Sequence, residues 1–180
     1  LESLSFIGGD LYISNNATLI NLMGVNTLSS IGGNLGIRDN PSLSSLSNLI
    51  MLSSIGDGLS IANNSSLTSL TGLDSLSSLM GVAISGNSAL HDLNGLDSLS
   101  SIGEDIFIYH NDNLISLTGL NALSSIGDEL YIGYNTSLNH LNGLDSLSSI
   151  GGNMEIHYNP SLIDLNGLES LAFLGGDLEF

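Results

Sequence analysis

The stretch Leu123–Ser146 reads LSSIGDELYIGYNTSLNHLNGLDS, and similar versions of it fill the whole 180-residue chain. The same frame begins eight times, and seven of the eight copies are complete. The copies begin at Leu4, Leu28, Leu52, Leu76, Leu99, Leu123, Leu147 and Leu171. Every spacing is 24 residues except that from Leu76 to Leu99, which is 23. A period between about 20 and 50 residues is typical of a solenoid, in which each coil buries its apolar face against its neighbours.

Each copy contains three short apolar segments, and the middle one alternates with the period of two that is typical of a half-buried strand. We therefore predict an all-β fold, a right-handed parallel β-solenoid of about seven coils stacked about 4.8 Å apart. No composition shift or Pro-rich linker interrupts the repeat, so residues 1–180 are predicted to form a single domain. The chain starts and stops within a repeat, and we expect it to be a piece of a longer protein.

Glycine recurs at two corners of the coil. Gly pairs precede the middle segment, where we predict that a tight corner requires positive φ. These pairs are Gly8-Gly9, Gly32-Gly33, Gly151-Gly152 and Gly175-Gly176. A second column follows the third segment, at Gly24, Gly72, Gly95, Gly119, Gly143 and Gly167. Asn48 replaces glycine there once, and we predict a left-handed conformation for it. The one-residue deletion falls within Leu79–Val82, at the first corner, where it is expected to be absorbed.

An asparagine occurs once in every complete coil. The column comprises Asn16, Asn40, Asn64, Asn87, Asn111, Asn135 and Asn159. A buried Asn at a turn can bond the backbone of its own coil and the amide of the next, satisfying groups that the turn leaves unpaired. We predict a structural Asn ladder rather than a binding site.

Composition excludes several classes of function. The formal net charge is −17, and Arg38 is the only Lys or Arg, so nucleic-acid binding is not expected. No run of about 20 apolar residues is present, so no membrane insertion of this segment is predicted. The chain has no cysteine, which excludes disulfides and thiolate metal sites.

The repeat resembles the receptor L domain, a leucine-rich β-helix of insulin- and epidermal-growth-factor-type receptors, and is closer still to its regular bacterial relatives. Two coils that carry the match show Ile31-Gly32-Gly33-Asn34-Leu35 with Ile37, Asn40, Leu43 and Leu46, and Ile150-Gly151-Gly152-Asn153-Met154 with Ile156, Asn159, Leu162 and Leu165. The resemblance spans the chain and implies an extracellular or cell-surface recognition or structural module. The missing cysteines and the high regularity depart from the receptors, so a receptor role is not carried over.

Serine and acidic residues also form columns, and neither column predicts an active site. A nucleophile is singular and needs a base beside it, whereas the Ser-Ser pair recurs in almost every coil, so we predict no enzyme activity. A regular Ser face leaves ice binding as an alternative. Acidic and Asn residues at the corners are predicted to accept backbone N–H bonds. No cofactor is therefore expected, although calcium on these carboxylates remains open. The four His residues lack metal-ligand spacing.

Large side chains on and just after the middle strand are confined to coils five to seven. The candidate binding residues are Phe107, Tyr109, His110, Tyr131, Tyr134, Glu155, His157 and Tyr158. The equivalent positions in coils two to four hold mostly Gly, Ala, Ser, Asn and Asp. Strand alternation predicts that Phe107, Tyr109, Tyr131, Glu155 and His157 point outward.

Exposed Tyr clusters suit protein or carbohydrate contact. We therefore predict a non-enzymatic, extracellular recognition or adhesion module with a protein or carbohydrate ligand. A structural spacer rod in a larger surface protein is the first alternative, and an ice-binding protein is the second.

Overall fold

The computed structural model describes residues 1–180 and is an all-β parallel solenoid of about seven coils, as the repeat predicts. Each coil contributes two strands, and the rest of the coil consists of turns and irregular chain. The four-residue strands are β2 (Leu11–Ser14), β4 (Leu35–Arg38), β6 (Leu59–Ala62), β8 (Val82–Ser85), β10 (Ile106–Tyr109), β12 (Leu130–Gly133) and β14 (Met154–His157), with the shorter β16 (Leu178–Glu179) completing the series. The two-residue strands are β1 (Phe6–Ile7), β3 (Ser30–Ile31), β5 (Ser54–Ile55), β7 (Ser78–Leu79), β9 (Ser101–Ile102), β11 (Ser125–Ile126), β13 (Ser149–Ile150) and β15 (Phe173–Leu174).

The longer strands form one continuous eight-stranded parallel sheet, in the order β2 to β16 by even numbers. Equivalent residues of successive coils are in register, for example Phe107 opposite Tyr131 and Ile108 opposite Ile132. In the central coils, alternate residues of each strand, such as Ile106 and Ile108, are buried in a core that runs along the solenoid. Because every second residue points inward, the remaining two positions of each strand form the outer surface of the sheet.

The one-residue deletion in coil four is absorbed at the predicted corner. The deletion does not change the register of the wide sheet, because Leu59 of β6 pairs with Val82 of β8. The narrow sheet of two-residue strands instead divides between β5 and β7 into a three-stranded and a five-stranded part. A hydrogen bond of 3.0 Å from the Met80 N–H to the Asp57 carbonyl bridges the gap.

The first glycine column corrects a sequence prediction. The pairs Gly8-Gly9, Gly32-Gly33, Gly151-Gly152 and Gly175-Gly176 do not have positive φ. Their role is steric, because a β-carbon at the first glycine of most coils would overlap the carbonyl oxygen of the glycine one coil earlier, as at Gly151 over Gly127. Only glycine allows the two backbones to approach so closely.

The second glycine column has the predicted left-handed geometry, with φ from 102° at Gly24 to 116° at Gly72. The prediction for Asn48 is wrong. That residue lies in a three-residue 3-10 helix, Ser47–Leu49, so the coil closes there by a helical turn rather than by a left-handed residue. This short helix is the only one in the structure, and no helix is long or apolar enough to cross a membrane.

Candidate functional site

The outer surface of the wide sheet changes character halfway along the solenoid. In coils two to four its side chains are small, as at Ser60 and Ala83, apart from Arg38. In coils five to seven the same columns carry rings. We call the set Phe107, Tyr109, His110, Tyr131, Tyr134, His157 and Tyr158 the aromatic face. The structure brings these residues and Glu155 together on one surface.

The ring of Tyr131 lies at the centre of the half-buried row of the aromatic face. Its centroid is 6.4 Å from that of Phe107, 6.3 Å from that of Tyr109 and 6.3 Å from that of His157. Tilted and edge-on rings at these separations attract each other. The row is possible because Gly133, which shares a column with Tyr109 and His157, has no side chain and lies buried beneath the Tyr131 ring.

The second row of the aromatic face follows the strands and has an unusual backbone. His110, Tyr134 and Tyr158 have φ of 57°, 57° and 53°, in the left-handed region that bulky residues rarely occupy. Their rings are stacked, with centroids 4.7 Å apart for His110 and Tyr134 and 4.6 Å apart for Tyr134 and Tyr158. These spacings match the strand separation of about 4.8 Å. Equivalent residues on successive coils are therefore at a suitable distance for their rings to stack.

All seven complete coils have a left-handed residue at this position. The earlier coils fill it with residues that tolerate the conformation, namely Asn15, Asp39, Asn63 and Gly86. Sequence reasoning missed this column because it attributed the left-handed positions to glycine. The signal was available, since Asn, Asp, Asn and Gly recur directly before the ladder asparagine.

An open hollow of about 550 Å³ lies at the centre of the aromatic face, and Phe107, Tyr109 and Tyr131 line it together with Glu129 and Glu155. Partial burial, followed by repulsion from Glu155, Asp105 and Asp128, raises the pKa of the Glu129 carboxyl above 4.5. The pKa of the Tyr131 hydroxyl is also raised, chiefly by burial.

Glu129 is a site residue that sequence reasoning missed. It directly precedes β12, in a column where Asp10 and Asp105 accept backbone N–H bonds from the next coil. Glu129 carries one more methylene than Asp, and its carboxylate accepts no hydrogen bond within the chain. This substitution of Glu for Asp was the signal in the sequence.

Two further features lie on the outer surface of the sheet. Imidazole Nε2 of His157 lies 3.7 Å from a Glu155 carboxylate oxygen and 3.8 Å from one of Glu179. On coil one, Tyr12 is in the Tyr131 column, is 58% exposed and covers Gly36 as Tyr131 covers Gly133. It was overlooked because it stands alone, four coils from the nearest ring of that column.

The Asn column forms a continuous hydrogen-bonded ladder along the solenoid. The Asn87 Nδ2 donates to the carbonyl oxygens of Ile61 and Ser85, each at 3.0 Å, while its Oδ1 accepts from the Asn64 N–H at 3.0 Å. The five central members are fully buried, namely Asn40, Asn64, Asn87, Asn111 and Asn135. Asn16 and Asn159 continue the ladder at the two ends. Both ends of each buried amide are therefore hydrogen-bonded within the fold.

The acidic columns act as turn acceptors, as predicted. Asp10 accepts from the Asn34 N–H at 2.6 Å, and Asp74 accepts from the Gly72 N–H at 2.7 Å. The backbone bond to Asn34 is also the main reason that the pKa of Asp10 is lowered. No group of three or more His, Asp or Glu side chains is arranged to hold a metal ion.

The first serine of most Ser-Ser pairs has a structural role. Its hydroxyl donates to the carbonyl of the equivalent serine one coil earlier, as from Ser124 to Ser100 at 2.9 Å and from Ser148 to Ser124 at 2.9 Å. The second serine of the pair is the first residue of a two-residue strand, and its hydroxyl makes no such bond. Half of the Ser array is therefore bound to the backbone.

Fold and site together define a parallel β-solenoid repeat protein with an aromatic outer face on three consecutive coils. Comparisons with protein-family models, with curated proteins and with solved structures found no match.

Proposed function

We propose that the chain is a non-enzymatic recognition module that binds a protein or carbohydrate ligand through its aromatic face. The observation that carries the proposal is the concentration of seven rings on coils five to seven, five of which line an open hollow, on a sheet whose other outer positions are mostly small. Partly exposed Tyr rings offer large contact area with a polar tip, and a few such anchors carry most of the energy of many interfaces.

The backbone of the stacked row supports a binding role over a purely structural one. A left-handed conformation costs a bulky residue roughly 1 to 2 kcal/mol. A stacked ring pair returns only about 0.5 to 1.5 kcal/mol. The left-handed conformation costs this free energy at three residues, whereas only two stacked pairs offset it. The Asn, Asp and Gly residues at this position in earlier coils therefore stabilise the fold at least as well. Tyr158 also leaves 69% of its surface exposed. We infer that a ligand covering these rings provides the favourable free energy that ring stacking alone does not.

A spacer rod in a larger surface protein is the second candidate. The ladder of fully satisfied Asn side chains and the unbroken wide sheet make a regular rod that serves this purpose without any ligand. Ice binding has less support, because the first serine of most pairs donates its hydroxyl hydrogen to the backbone rather than to the surface.

An extracellular or cell-surface location is part of the proposal. Its support is the resemblance of the coil pattern to the receptor L domain and its bacterial relatives. The absence of Lys and Arg other than Arg38 disfavours nucleic acids and anionic membrane surfaces as partners.

A binding screen with matched variants tests the proposal. Labelled wild-type protein is applied to a glycan array and to a panel of purified extracellular proteins, beside the Tyr109→Ala/Tyr131→Ala variant. Tyr12→Ala is the control, because it removes the same side chain from the same column on coil one. We expect a ligand that the control retains and the double variant loses. Binding that survives the double substitution would place the site elsewhere, and an empty screen would favour the spacer.

A further inference from the structure

The hollow of the aromatic face has two carboxylates and no Lys or Arg to balance them. Glu129 lies on one side, and Glu155 follows Tyr131 in the column of outward residues. Neither carboxylate accepts a hydrogen bond within the chain. The nearby groups that can carry positive charge are two imidazoles: His110 lines the hollow, and His157 lies between Glu155 and Glu179.

A second hollow on the same sheet can be compared with this one. A second hollow of about 410 Å³ lies over the small residues of coils two to four, and it is also lined by an aromatic ring, Tyr12, and by carboxylates, among them Asp57 and Glu104. The chain's only guanidinium, that of Arg38, lines this hollow and bonds to the Ser60 hydroxyl at 3.1 Å. The hollow on coils five to seven likewise has aromatic rings and carboxylates, but it has no guanidinium.

We propose that the hollow between Phe107, Tyr131, Glu129 and Glu155 binds a guanidinium or ammonium side chain, presented by an arginine- or lysine-containing segment of a basic partner protein. This inference rests on the proposed function and names its ligand class. A cation over an aromatic face is attracted by the ring quadrupole, and adjacent carboxylates pair with its N–H groups. Arginine fits better than lysine, because its planar group both stacks on rings and forms paired hydrogen bonds.

Charge complementarity favours a protein segment over a neutral sugar. The chain carries a net charge of −17, which accelerates association with a basic partner over distances of about a Debye length. A neutral sugar would leave Glu129 beside Glu155, Asp105 and Asp128 with their mutual repulsion unrelieved, whereas a cation relieves it. Burying a carboxylate without a partner is costly, so a bound cation is the occupant that suits this hollow best.

The test uses two peptides that differ only in charge. One is an acetylated and amidated hexa-arginine peptide, and the other replaces each arginine by citrulline, its neutral isostere. Binding is followed by intrinsic tyrosine fluorescence at about 150 mM salt, where long-range attraction is largely screened. Tyrosine is a suitable reporter, because four of the five tyrosines lie in the aromatic face and the chain has no tryptophan.

Two variants with equal charge change separate the hollow from the general negative charge. Glu129→Gln/Glu155→Gln removes both carboxylates of the hollow. Glu2→Gln/Glu104→Gln removes two exposed carboxylates outside it, neither of which bonds through its side chain. We expect the first pair of substitutions to weaken hexa-arginine binding about tenfold and the second pair to weaken it less than about twofold. Carboxylates in direct contact with the peptide contribute more to binding than exposed carboxylates whose attraction is screened by salt. The citrulline peptide is expected not to bind.

Each other outcome overturns the inference. Equal weakening by the two pairs would show attraction by net charge alone. Binding of the citrulline peptide would show that the hollow does not select a cation. If neither peptide binds while a glycan binds in a manner that depends on Tyr109 and Tyr131, the proposed function stands and the cation inference fails. If no ligand depends on these tyrosines, both fail.

Discussion

The ring of Tyr131 lies over Gly133, two residues later in the same strand, so closely that a β-carbon at Gly133 would stand 2.5 Å from the Tyr131 hydroxyl oxygen. Glycine at this position therefore sets the orientation of the ring at the centre of the aromatic face. Gly36 also lies beneath a tyrosine ring, that of Tyr12, but it belongs to the neighbouring strand, where it pairs with Tyr12. The pair of sites provides a natural control for the role of the aromatic face.

Gly133→Ala is predicted to displace the Tyr131 ring and to weaken hexa-arginine binding several-fold. The far end of a side chain can move aside at small cost, so the melting temperature should change little. Gly36→Ala displaces Tyr12 instead and should leave binding unchanged. Fluorescence titration with circular dichroism melting checks both variants. Equal binding by the two variants would mean that the Tyr131 orientation does not matter.

The Asn ladder is predicted to be a main source of stability. Asn87→Ala or Asn111→Ala removes a fully buried amide and leaves backbone groups unpaired, which costs about 1 to 3 kcal/mol in the free energy of unfolding. Ser78→Ala is the control, since that hydroxyl is exposed and makes no hydrogen bond. Urea unfolding measures the difference. Indistinguishable midpoints for the Asn and Ser variants would refute the structural role of the ladder.

The first glycine column is predicted to tolerate substitution at Gly103, beside the deletion in coil four, but not at Gly127. A β-carbon at Gly127 would overlap the Gly103 carbonyl oxygen, so Gly127→Ala should cost about 1 to 3 kcal/mol or more. At Gly103 the nearest atom is the flexible Met80 Sδ at 3.3 Å, and Gly103→Ala should cost much less. Thermal unfolding of the two variants decides this, and a Gly103 variant as unstable as the Gly127 variant would contradict the steric explanation.

Glu129 is predicted to make stability depend on pH. Its pKa is raised, so the native state binds the proton more readily than the unfolded state does, and the carboxylate destabilises the fold once pH exceeds the native pKa. Glu129→Gln should therefore raise the melting temperature at pH 7, and the gain should shrink on acidification and vanish well below pH 4.5, where the Glu129 carboxyl is protonated in both the native and the unfolded state. Glu104→Gln is the control. A gain that grows on acidification would reverse the assigned sign.

The sequence predicted the solenoid well because each coil repeats the same constraints. Buried Leu and Ile must recur wherever a strand faces the core, and a one-residue shift within a strand would turn them outward. Periodicity therefore located the wide strands and their outward residues, including Tyr109 and Tyr131, and it placed the deletion at the corner.

Backbone geometry was less accessible from the sequence. The same residue type serves two purposes, since Gly127 allows a close approach of backbones while Gly72 adopts positive φ, and spacing alone does not separate them. The conformation of Tyr134 goes against its own preference, and it occurs because this position is left-handed in all seven complete coils. The isolated carboxylate of Glu129 likewise emerges only when the hydrogen bonds of its column are known.

The most direct test of the binding role is a map of amide chemical shifts by NMR during titration with the hexa-arginine peptide and, separately, with maltohexaose as a neutral sugar. We predict that at least one probe shifts the amide signals of β10, β12 and β14 and of His110, Tyr134 and Tyr158, while the signals of β4, β6 and β8 do not change. Shifts centred on coils two to four or spread evenly along the rod would contradict it, as would the absence of any shift with both probes.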